Sequence, residues 1–424
     1  MHCWTEADHE LLLQLLATDT VTPMEADRLG NMAHAQQTYA EHARLVGFEV
    51  SYFGPPPARI LSEPDTPLSV HERAAHFGSE LLEAQPNLVL RLGTAPADKT
   101  LLFNFHMDTV ADIEPACRRD GIIFGRGAAD AKGPGVAALA AVRRALELQP
   151  DLPEKIAILI QSAGGEEGGA LGAYGTKHLV TKGYLGRLNI VCEPTEFAYF
   201  DRTTAAMTAR ISVAGEGSSD DEPLQGQNAT VLLAAMTDML VRNLSPKVLA
   251  LGAKMCVGGL HTGAMHNRVY GSGNLLLNFA YPSLEVALEL ETLVEASFAD
   301  AIDRFHRDYA QYAIAAAAAA SARSICSLTW IKRRLPVLSN RDRDMEAMLR
   351  GVGIPRHEPD STSLPFSCDA MWMTGPGSFT IVYGPGHLGR NKTHAAGEFI
   401  RIADLDNYAH QLSNLILAFA DWAH

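Results

Sequence analysis

Five short segments of the 424-residue chain carry acidic and imidazole side chains of the kinds that bind metal ions. Zinc enzymes use histidine nitrogens and carboxylate oxygens as ligands, and such groups bind best when rigid elements hold them. Each segment follows a predicted strand or precedes a predicted helix. In chain order, the residues are His106 and Asp108, Asp130, Glu166 and Glu167, Glu193, and His387 and His394.

Two of these segments also have simpler interpretations. His106 and Asp108 directly follow an apolar run, and a spacing of two lets the imidazole face a metal while the carboxylate orients its ring nitrogen. The same pattern also occurs where a residue caps a strand or helix. The neighbouring carboxylates of Glu166 and Glu167 stand between glycines, and they are costly there unless a cation neutralises them or water solvates the turn.

Two glycine-rich stretches raise the alternative of a nucleotide site. Residues 125–133 precede an alanine-rich helix, but they lack the Walker spacing. Residues 384–389 match the dinucleotide fingerprint behind a strand, yet no helix opens at that point. We therefore expect neither stretch to bind a nucleotide cofactor.

The elements around these segments predict an α/β domain. Apolar strands are expected at residues 88–92, 100–105, 156–160, 188–192 and 379–383. Helical spacing is found at residues 135–148, 173–180, 341–352 and from residue 403 onward. Apolar strands that alternate with helices are typical of a mixed, largely parallel sheet flanked by helices.

A second pattern interrupts the first near Arg202. It consists of strands and helices at residues 207–213, 229–244, 248–257, 269–281 and 284–309, followed by a short final strand. This β-α-β-β-α-β order is typical of a small ferredoxin-like α+β domain. We therefore predict one domain in two segments, residues 1–202 and 326–424, with a smaller domain inserted at residues 203–325.

Taken together and in this order, the five segments resemble the motifs of the aminoacylase, acetylornithine deacetylase and succinyl-diaminopimelate desuccinylase family of di-zinc, metallopeptidase-like amidohydrolases. The resemblance spans nearly the whole chain, including the inserted domain. It implies that the larger domain is a zinc-peptidase-like catalytic domain. It also implies that the inserted domain is a lid through which two chains form a homodimer, and that the peptide bond between Asp130 and Ala131 is cis.

The resemblance implies a role for each matching residue. Two zinc ions would share five ligands, which are His106 and Glu193 for the first, Glu167 and His394 for the second, and Asp130 as the bridge. Cobalt or manganese would also suit such ligands. Glu166 would be the general base that takes a proton from the water between the metals and passes it to the leaving amine. Asp108 would assist catalysis by orienting His106.

Two positions depart from the family pattern. Family members carry a histidine after the first strand of the inserted domain, which reaches a partner subunit's active site and stabilises the tetrahedral oxyanion. Here residues 214–221 contain serines but no histidine. The strand that normally offers an arginine to a substrate carboxylate has Ala280 at that place. The nearby residues that could replace these contacts are His261, His266, Asn267 and Arg268.

Composition and charge exclude several other classes of protein. Hydrophobic residues make up 47% of the chain and charged residues 20%, which is ordinary for a soluble globular protein. The formal net charge of -14 argues against a nucleic-acid partner or an anionic membrane. The six cysteines form no Cys-x-x-Cys pair, and the N-terminal residues lack a signal-peptide pattern. We therefore expect a cytoplasmic protein.

Three functions remain in competition at this point. The favoured one is a metal-dependent hydrolase that cleaves an amide bond, by N-deacylation or dipeptide-like cleavage, in a small amino-acid-derived substrate. The second is a biosynthetic enzyme that forms or transfers an amide with the same metal site. The third is a metal-binding protein without activity, and Glu166 argues against it because a structural metal site needs no free base.

Overall fold

The computed structural model of the protein describes residues 2–111, 114–358 and 365–424. Contacts divide the chain into two compact units. The larger unit contains the residues up to Thr203 together with Leu338–His424, and the inserted unit contains Thr204–Val337.

The chain forms strands and helices in both units. The strands are β1 Glu49–Gly54, β2 Asn87–Leu92, β3 Thr100–His106, β4 Cys117–Arg119, β5 Ile122–Phe124, β6 Ala157–Ala163, β7 Leu188–Val191, β8 Ala205–Ala214, β9 Ser218–Ser219, β10 Lys254–His261, β11 Arg268–Val269, β12 Ser272–Tyr281, β13 Cys326–Lys332, β14 Phe379–Val382 and β15 Phe399–Arg401. The helices are α1 Glu6–Ala17, α2 Met32–Leu45, α3 Leu68–Phe77, α4 Glu80–Glu83, α5 Lys132–Leu148, α6 Leu152–Lys155, α7 Thr176–Thr181, α8 Ala229–Ala250, α9 Leu284–Tyr309, α10 Ala313–Ile325, α11 Arg343–Gly351 and α12 Ile402–Trp422. Short 3₁₀ turns lie at Ala58–Ser62, Ala97–Lys99 and Asp369–Trp372.

The main sheet of the larger unit has the order β1-β2-β6-β3-β7-β14. Strands β6, β3, β7 and β14 run parallel to one another, whereas β1 and β2 are antiparallel to their neighbours. Every residue of β3, β6, β7 and β14 is buried, which matches the continuous apolar runs of the sequence. The predicted mixed, largely parallel sheet flanked by helices is confirmed.

The carboxyl ends of the four parallel strands lie at one edge of this sheet. Strand β3 ends at His106, β6 ends immediately before Gly164, and β7 ends two residues before Glu193. The chain that leaves β14 leads to His394. Because neighbouring parallel strands end at the same edge, groups that are far apart in sequence meet there.

Helix α5 packs against β3, and every residue from Lys132 to Val142 is buried. Its small side chains allow close packing against β3, and a Cβ atom at Gly135 would lie 2.6 Å from the ring of Phe105. The hydroxyl of Tyr39, on α2, donates to the carbonyl oxygen of Gly135 at 2.8 Å. The helix that follows Asp130 is thereby fixed to the strand that carries His106.

The inserted unit has a four-stranded antiparallel sheet in the order β10-β12-β8-β13. Side chains alternate between buried and partly exposed positions along β8 and β12, as expected for a sheet with one covered face. Helices α8 and α9 connect the strands in the predicted β-α-β-β-α-β order. The predicted ferredoxin-like α+β architecture is therefore confirmed.

Two boundaries in the inserted unit differ from the sequence-based expectation. Residue 325 is not the end of the unit, because β13 pairs with β8 from Cys326 opposite Val213 onward, which moves the boundary to Val337. The strand expected from residue 248 begins only at Lys254, because α8 continues to Ala250. The helix continues because Leu240, Leu244 and Val248 recur at a spacing of four and are all buried.

None of the helices that the structure describes is long and apolar enough to cross a membrane.

Candidate metal centre

His106 is the last residue of β3, and its ring is held by its own loop. The Nδ1 atom donates to the main-chain carbonyl oxygen of Asp108 at 2.8 Å. This hydrogen bond directs the Nε2 atom toward Asp130, whose Oδ1 atom lies 2.9 Å away. His106 is 2% exposed, so a ligand of its Nε2 atom would be shielded from bulk water.

Asp108 has a different role in the structure from the one the resemblance implies. Its Oδ1 atom is 3.9 Å from His106 Nδ1, so the carboxylate does not hydrogen-bond the ring. Instead, the two carboxylate oxygens accept from the main-chain N–H groups of Glu166 at 3.3 Å and Glu167 at 3.0 Å. Asp108 therefore orients His106 through its carbonyl and fixes the loop after β6 through its side chain.

Asp130 lies between two imidazole rings. Its Oδ1 atom faces His106, and its Oδ2 atom is 3.3 Å from the Nε2 atom of His394. Each ring also faces one glutamate oxygen, because Glu193 lies 3.7 Å from His106 and Glu167 lies 3.5 Å from His394. The Asp130 carboxylate thus lies between two imidazole–glutamate pairs, His106 with Glu193 and His394 with Glu167.

The five residues expected to bind metal therefore come together. Ligand atoms of three of them all lie within 4.8 Å of one another, and these residues are His106, Asp130 and Glu167. The peptide bond between Asp130 and Ala131 is cis, as the resemblance implies. Asp130 follows a loop in which Gly125 and Gly127 have positive φ values of 144° and 92°.

The electrostatics of this cluster fit a bound cation. Burial, and then the negative charge of Asp130, raise the pKa of Glu193 well above its usual value. Hydrogen bonds to Asp130 and Glu167 raise the pKa of His394 to about 11. Burial opposes protonation of His106, but the hydrogen bond to Asp130 and the nearby glutamates raise its pKa. Buried carboxylates that favour protonated neighbours are well suited to divalent metal ions, which supply the same positive charge.

Glu166 differs from the other acids of the cluster. Within the described part of the chain, no residue donates a hydrogen bond to its carboxylate, whereas its main-chain N–H is held by Asp108. Burial and the charge of Glu167 raise the pKa of Glu166 well above its usual value. The side chain is thus buried near the charges of His106 and Glu193, with no hydrogen-bond donor to its carboxylate among the described residues.

The sequence did not predict a buried ion pair that contacts the loop carrying Asp130. The carboxylate of Glu398 accepts a hydrogen bond from Arg126 at 2.9 Å, and it also accepts from main-chain N–H groups of the Asp130 loop. The available signals were an acid four residues after His394 and an arginine between two glycines. Neither signal reveals that the two residues pair, because 272 positions separate them.

A second anchor, also missed, involves Asp369. Its Oδ2 atom accepts a hydrogen bond from the hydroxyl of Thr176, which in turn accepts from Asn104 at 3.0 Å. The indole nitrogen of Trp372 donates to the carbonyl oxygen of Leu171 at 2.6 Å. These bonds tie the turn at Asp369 to the loop that carries Glu166.

The residues considered as replacements for the missing lid contacts all belong to the inserted unit. All four of them, His261, His266, Asn267 and Arg268, are exposed. Arg268 pairs directly with Ser219 in the short sheet formed by β9 and β11. Ala280 lies in β12, opposite Lys254 and Ala206.

Buried imidazole and carboxylate groups meet the exposed His394 at the carboxyl edge of the α/β sheet, and Glu166 lies beside them. Such an arrangement is typical of a metal-dependent hydrolase. Comparison with known proteins agrees with this class. The chain belongs to peptidase family M20/M25/M40, whose sequence profile matches residues 102–418. The resemblance inferred from the five segments is thereby confirmed.

Individual relatives support the same conclusion. The chain is 25% identical over 324 residues to a succinyl-diaminopimelate desuccinylase of Nitrosomonas europaea, covering 70% of this chain and 77% of that protein. It is 29% identical over 177 residues to an N-formyl-4-amino-5-aminomethyl-2-methylpyrimidine deformylase of Halalkalibacterium halodurans, covering 38% and 40% of the two chains. A tripeptidase from Staphylococcus aureus shares the fold, with a TM-score of 0.68 over 98% of each chain at 17% identity. The chain is an enzyme, a metal-dependent hydrolase of amide bonds.

Proposed function

We propose that this enzyme removes an acyl group from, or cleaves a peptide-like bond in, a small amino-acid derivative, and that it uses two zinc ions. The observation that carries the proposal is the Asp130 carboxylate, whose two oxygens face His106 and His394 separately. Glu193 would complete the first metal position and Glu167 the second. Cobalt or manganese would suit the same nitrogen and oxygen ligands.

The chain's own residues would divide the catalytic work. When bound, two zinc ions would polarise the scissile carbonyl and lower the pKa of a water molecule. Glu166 would accept the proton of the attacking water and deliver it to the leaving amine, since its carboxylate is unengaged and its raised pKa suits a general base. Asp108 would keep Glu166 in place through the main-chain N–H that it accepts.

The overall reaction can be tested with the full chain loaded with Zn²⁺ or Co²⁺. A library of N-acyl amino acids and dipeptides is incubated with the enzyme, and products are identified by mass spectrometry. We expect at least one compound to be hydrolysed, and EDTA to prevent it. Amide formation from added acids and amines without hydrolysis would favour the biosynthetic alternative, and the absence of any metal-dependent turnover would contradict the proposal.

Simple N-acetyl and N-succinyl amino acids should be poor substrates even with metals bound. Residues 214–221 contain no histidine, and loss of one oxyanion donor costs about 2.7–4 kcal/mol of transition-state stabilisation in other enzymes. Ala280 offers no charged partner to a substrate carboxylate, whose hydrogen bonds are worth about 1.5–3 kcal/mol. We expect kcat/KM below about 10⁴ M⁻¹s⁻¹, the lower edge of ordinary enzyme efficiency, for N-acetylornithine, N-acetylmethionine and N-succinyl-diaminopimelate.

Higher values for these three compounds would show that the two missing contacts are unimportant. Once a good substrate is known, Arg268→Ala tests whether a different residue of the inserted unit replaces them. A matched control is Arg242→Ala, which removes another exposed arginine of the same unit, one that pairs with Asp238 along α8.

We also propose that the enzyme is a homodimer formed through the inserted unit. Strand β10 is an edge of the four-stranded sheet, and most of its side chains are exposed, including Val257 at 39% and Leu260 at 43%. An edge strand with apolar side chains is a template for pairing with another strand. Replacing both Val257 and Leu260 by lysine should therefore shift the enzyme from dimer to monomer in sedimentation-velocity measurements.

Leu45→Lys is the control for this change, because Leu45 is 87% exposed on the larger unit. A wild-type chain that sediments as a monomer would overturn the proposed dimer.

We further propose a cytoplasmic location, because all six cysteines are free, as expected in a reducing compartment.

A further inference from the structure

The buried carboxylate of Glu398 accepts hydrogen bonds at both of its oxygen atoms. Its Oε1 atom accepts from the main-chain N–H groups of Ala129 at 2.9 Å and Asp130 at 3.2 Å. Its Oε2 atom accepts from the N–H of Gly127 at 2.9 Å and from Arg126 at 2.9 Å. One side chain thus contacts four of the five residues from Arg126 to Asp130, and Ala128 is the exception.

Arg126 extends this arrangement to a second loop. Its Nη1 atom donates to the carbonyl oxygen of Thr393, and its Nη2 atom donates to that of Ala395 at 3.1 Å. These two carbonyls flank His394 on either side. Arg126 is 4% exposed, and its contact to Thr393 is buried while that to Ala395 is partly buried. Hydrogen bonds from a charged donor are stronger than those between neutral groups.

His394 needs such support more than the other candidate ligands do. Its side chain is 58% exposed, and it lies in a segment between β14 and β15 that contains neither helix nor strand. His106, in contrast, is the last residue of a buried strand, and Glu193 follows another. The position of His394 relative to Asp130 therefore depends on the loops, and the Arg126–Glu398 pair is a direct link between them.

We propose that Arg126 and Glu398 are positioning residues that hold the Asp130 loop and the His394 loop in register, so that the second metal position can assemble. That position is formed by Asp130, Glu167 and His394, and the inference rests on the proposed function. The pair does not touch the metal or the substrate. It acts by setting where the two flanking ligands lie.

Glu398→Gln is the most informative substitution. Glutamine keeps the shape of the side chain but replaces one of the two oxygens by an NH₂ group. Because N–H groups of the main chain face both oxygens of Glu398, the NH₂ group would meet another donor in either orientation of the amide. We expect the affinity of the second metal ion to fall about 10–100-fold, as is typical when a partner of a metal ligand is lost. The affinity of the first ion, bound by His106 and Glu193, should change much less.

Metal binding, rather than activity, provides the readout. Zn²⁺ is titrated into the metal-free full chain and followed by calorimetry, metal content is measured after dialysis, and the visible spectrum of the Co²⁺ form is recorded. The wild type should retain two ions, and Glu398→Gln should retain about one. Arg126→Lys should give the same result, because a single ammonium cannot span Glu398 and two carbonyls.

A control breaks a partly buried arginine–aspartate pair elsewhere in the larger unit, in which the Arg143 side chain is 27% exposed. Asp8 is 3% exposed and accepts hydrogen bonds from Arg143 at 2.8 Å and 2.7 Å. Asp8→Asn should lower the melting temperature while both metal ions remain bound. This contrast separates a positioning role from a general contribution to folding.

The possible outcomes are distinct. If the wild type binds two ions and both Glu398→Gln and Arg126→Lys bind them with unchanged affinity, the inference is wrong and the proposed function stands. If both ions are weakened equally, the pair supports the fold and not the second position, which also overturns the inference. If the wild type binds no metal, the proposed function itself fails.

Discussion

Glu166→Gln should lower kcat by about 10²–10⁴-fold, the usual contribution of a general base, while the metal content stays at the wild-type value. Glutamine preserves the size of the side chain but cannot accept the proton of the attacking water. The main-chain N–H of residue 166 would still donate to Asp108, so the loop should keep its conformation. Steady-state kinetics on a compound that the wild type hydrolyses, together with metal analysis of the same sample, measures both quantities.

The neighbouring residue provides the matched control. Glu167→Gln alters the adjacent carboxylate, which lies 3.5 Å from His394 and belongs to the proposed second metal position. We expect that variant to lose metal as well as activity. Near-normal turnover of Glu166→Gln would show that another group is the base, and loss of metal from it would show that the roles of the two glutamates are reversed.

Asp130→Asn should have a still broader effect, because both carboxylate oxygens are engaged. An asparagine side chain has only one oxygen atom, so that oxygen can face His106 or His394 but not both. We expect metal retention to fall from two ions to at most one. The loss of turnover should exceed the loss of roughly 10–100-fold that follows when a residue that only supports a metal ligand is changed. Metal analysis after dialysis and kinetics at saturating Zn²⁺ test this.

A second buried acid of the same region provides the comparison. Asp369 is 1% exposed, burial raises its pKa to about 7, and its Oδ2 atom accepts the hydrogen bond of Thr176, which an amide oxygen would also accept. Asp369→Asn should therefore keep both metal ions. An Asp130→Asn variant with two tightly bound ions would contradict the bridging role.

The sequence was sufficient to locate the candidate ligands for a physical reason. His106 and Glu193 follow continuous apolar runs, and such runs form the buried parallel strands whose carboxyl ends meet at one edge. Glu167 follows a third strand of this kind. For these residues, the order of strands and helices along the chain determines which side chains become neighbours in the folded protein.

Other features depend on contacts that no local pattern encodes. The carbonyl of Asp108, rather than its carboxylate, meets His106, and this depends on the direction of the backbone after β3. The sequence did not predict strand β1, because it is an edge strand whose residues are mostly exposed and show no buried face. Glu398 and Arg126 could be recognised as partners only when the fold brought them together.

The order of the ligands along the chain has a consequence for how the enzyme is made. His106, Asp130, Glu167 and Glu193 all precede the inserted unit, whereas His394 follows it, on the chain that leaves β14. Because proteins emerge from the ribosome N-terminus first and fold by units, these four residues are synthesised well before His394. The cluster can be completed only when the C-terminal segment adds the outermost parallel strand, His394 and the Glu398 carboxylate that holds the Asp130 loop.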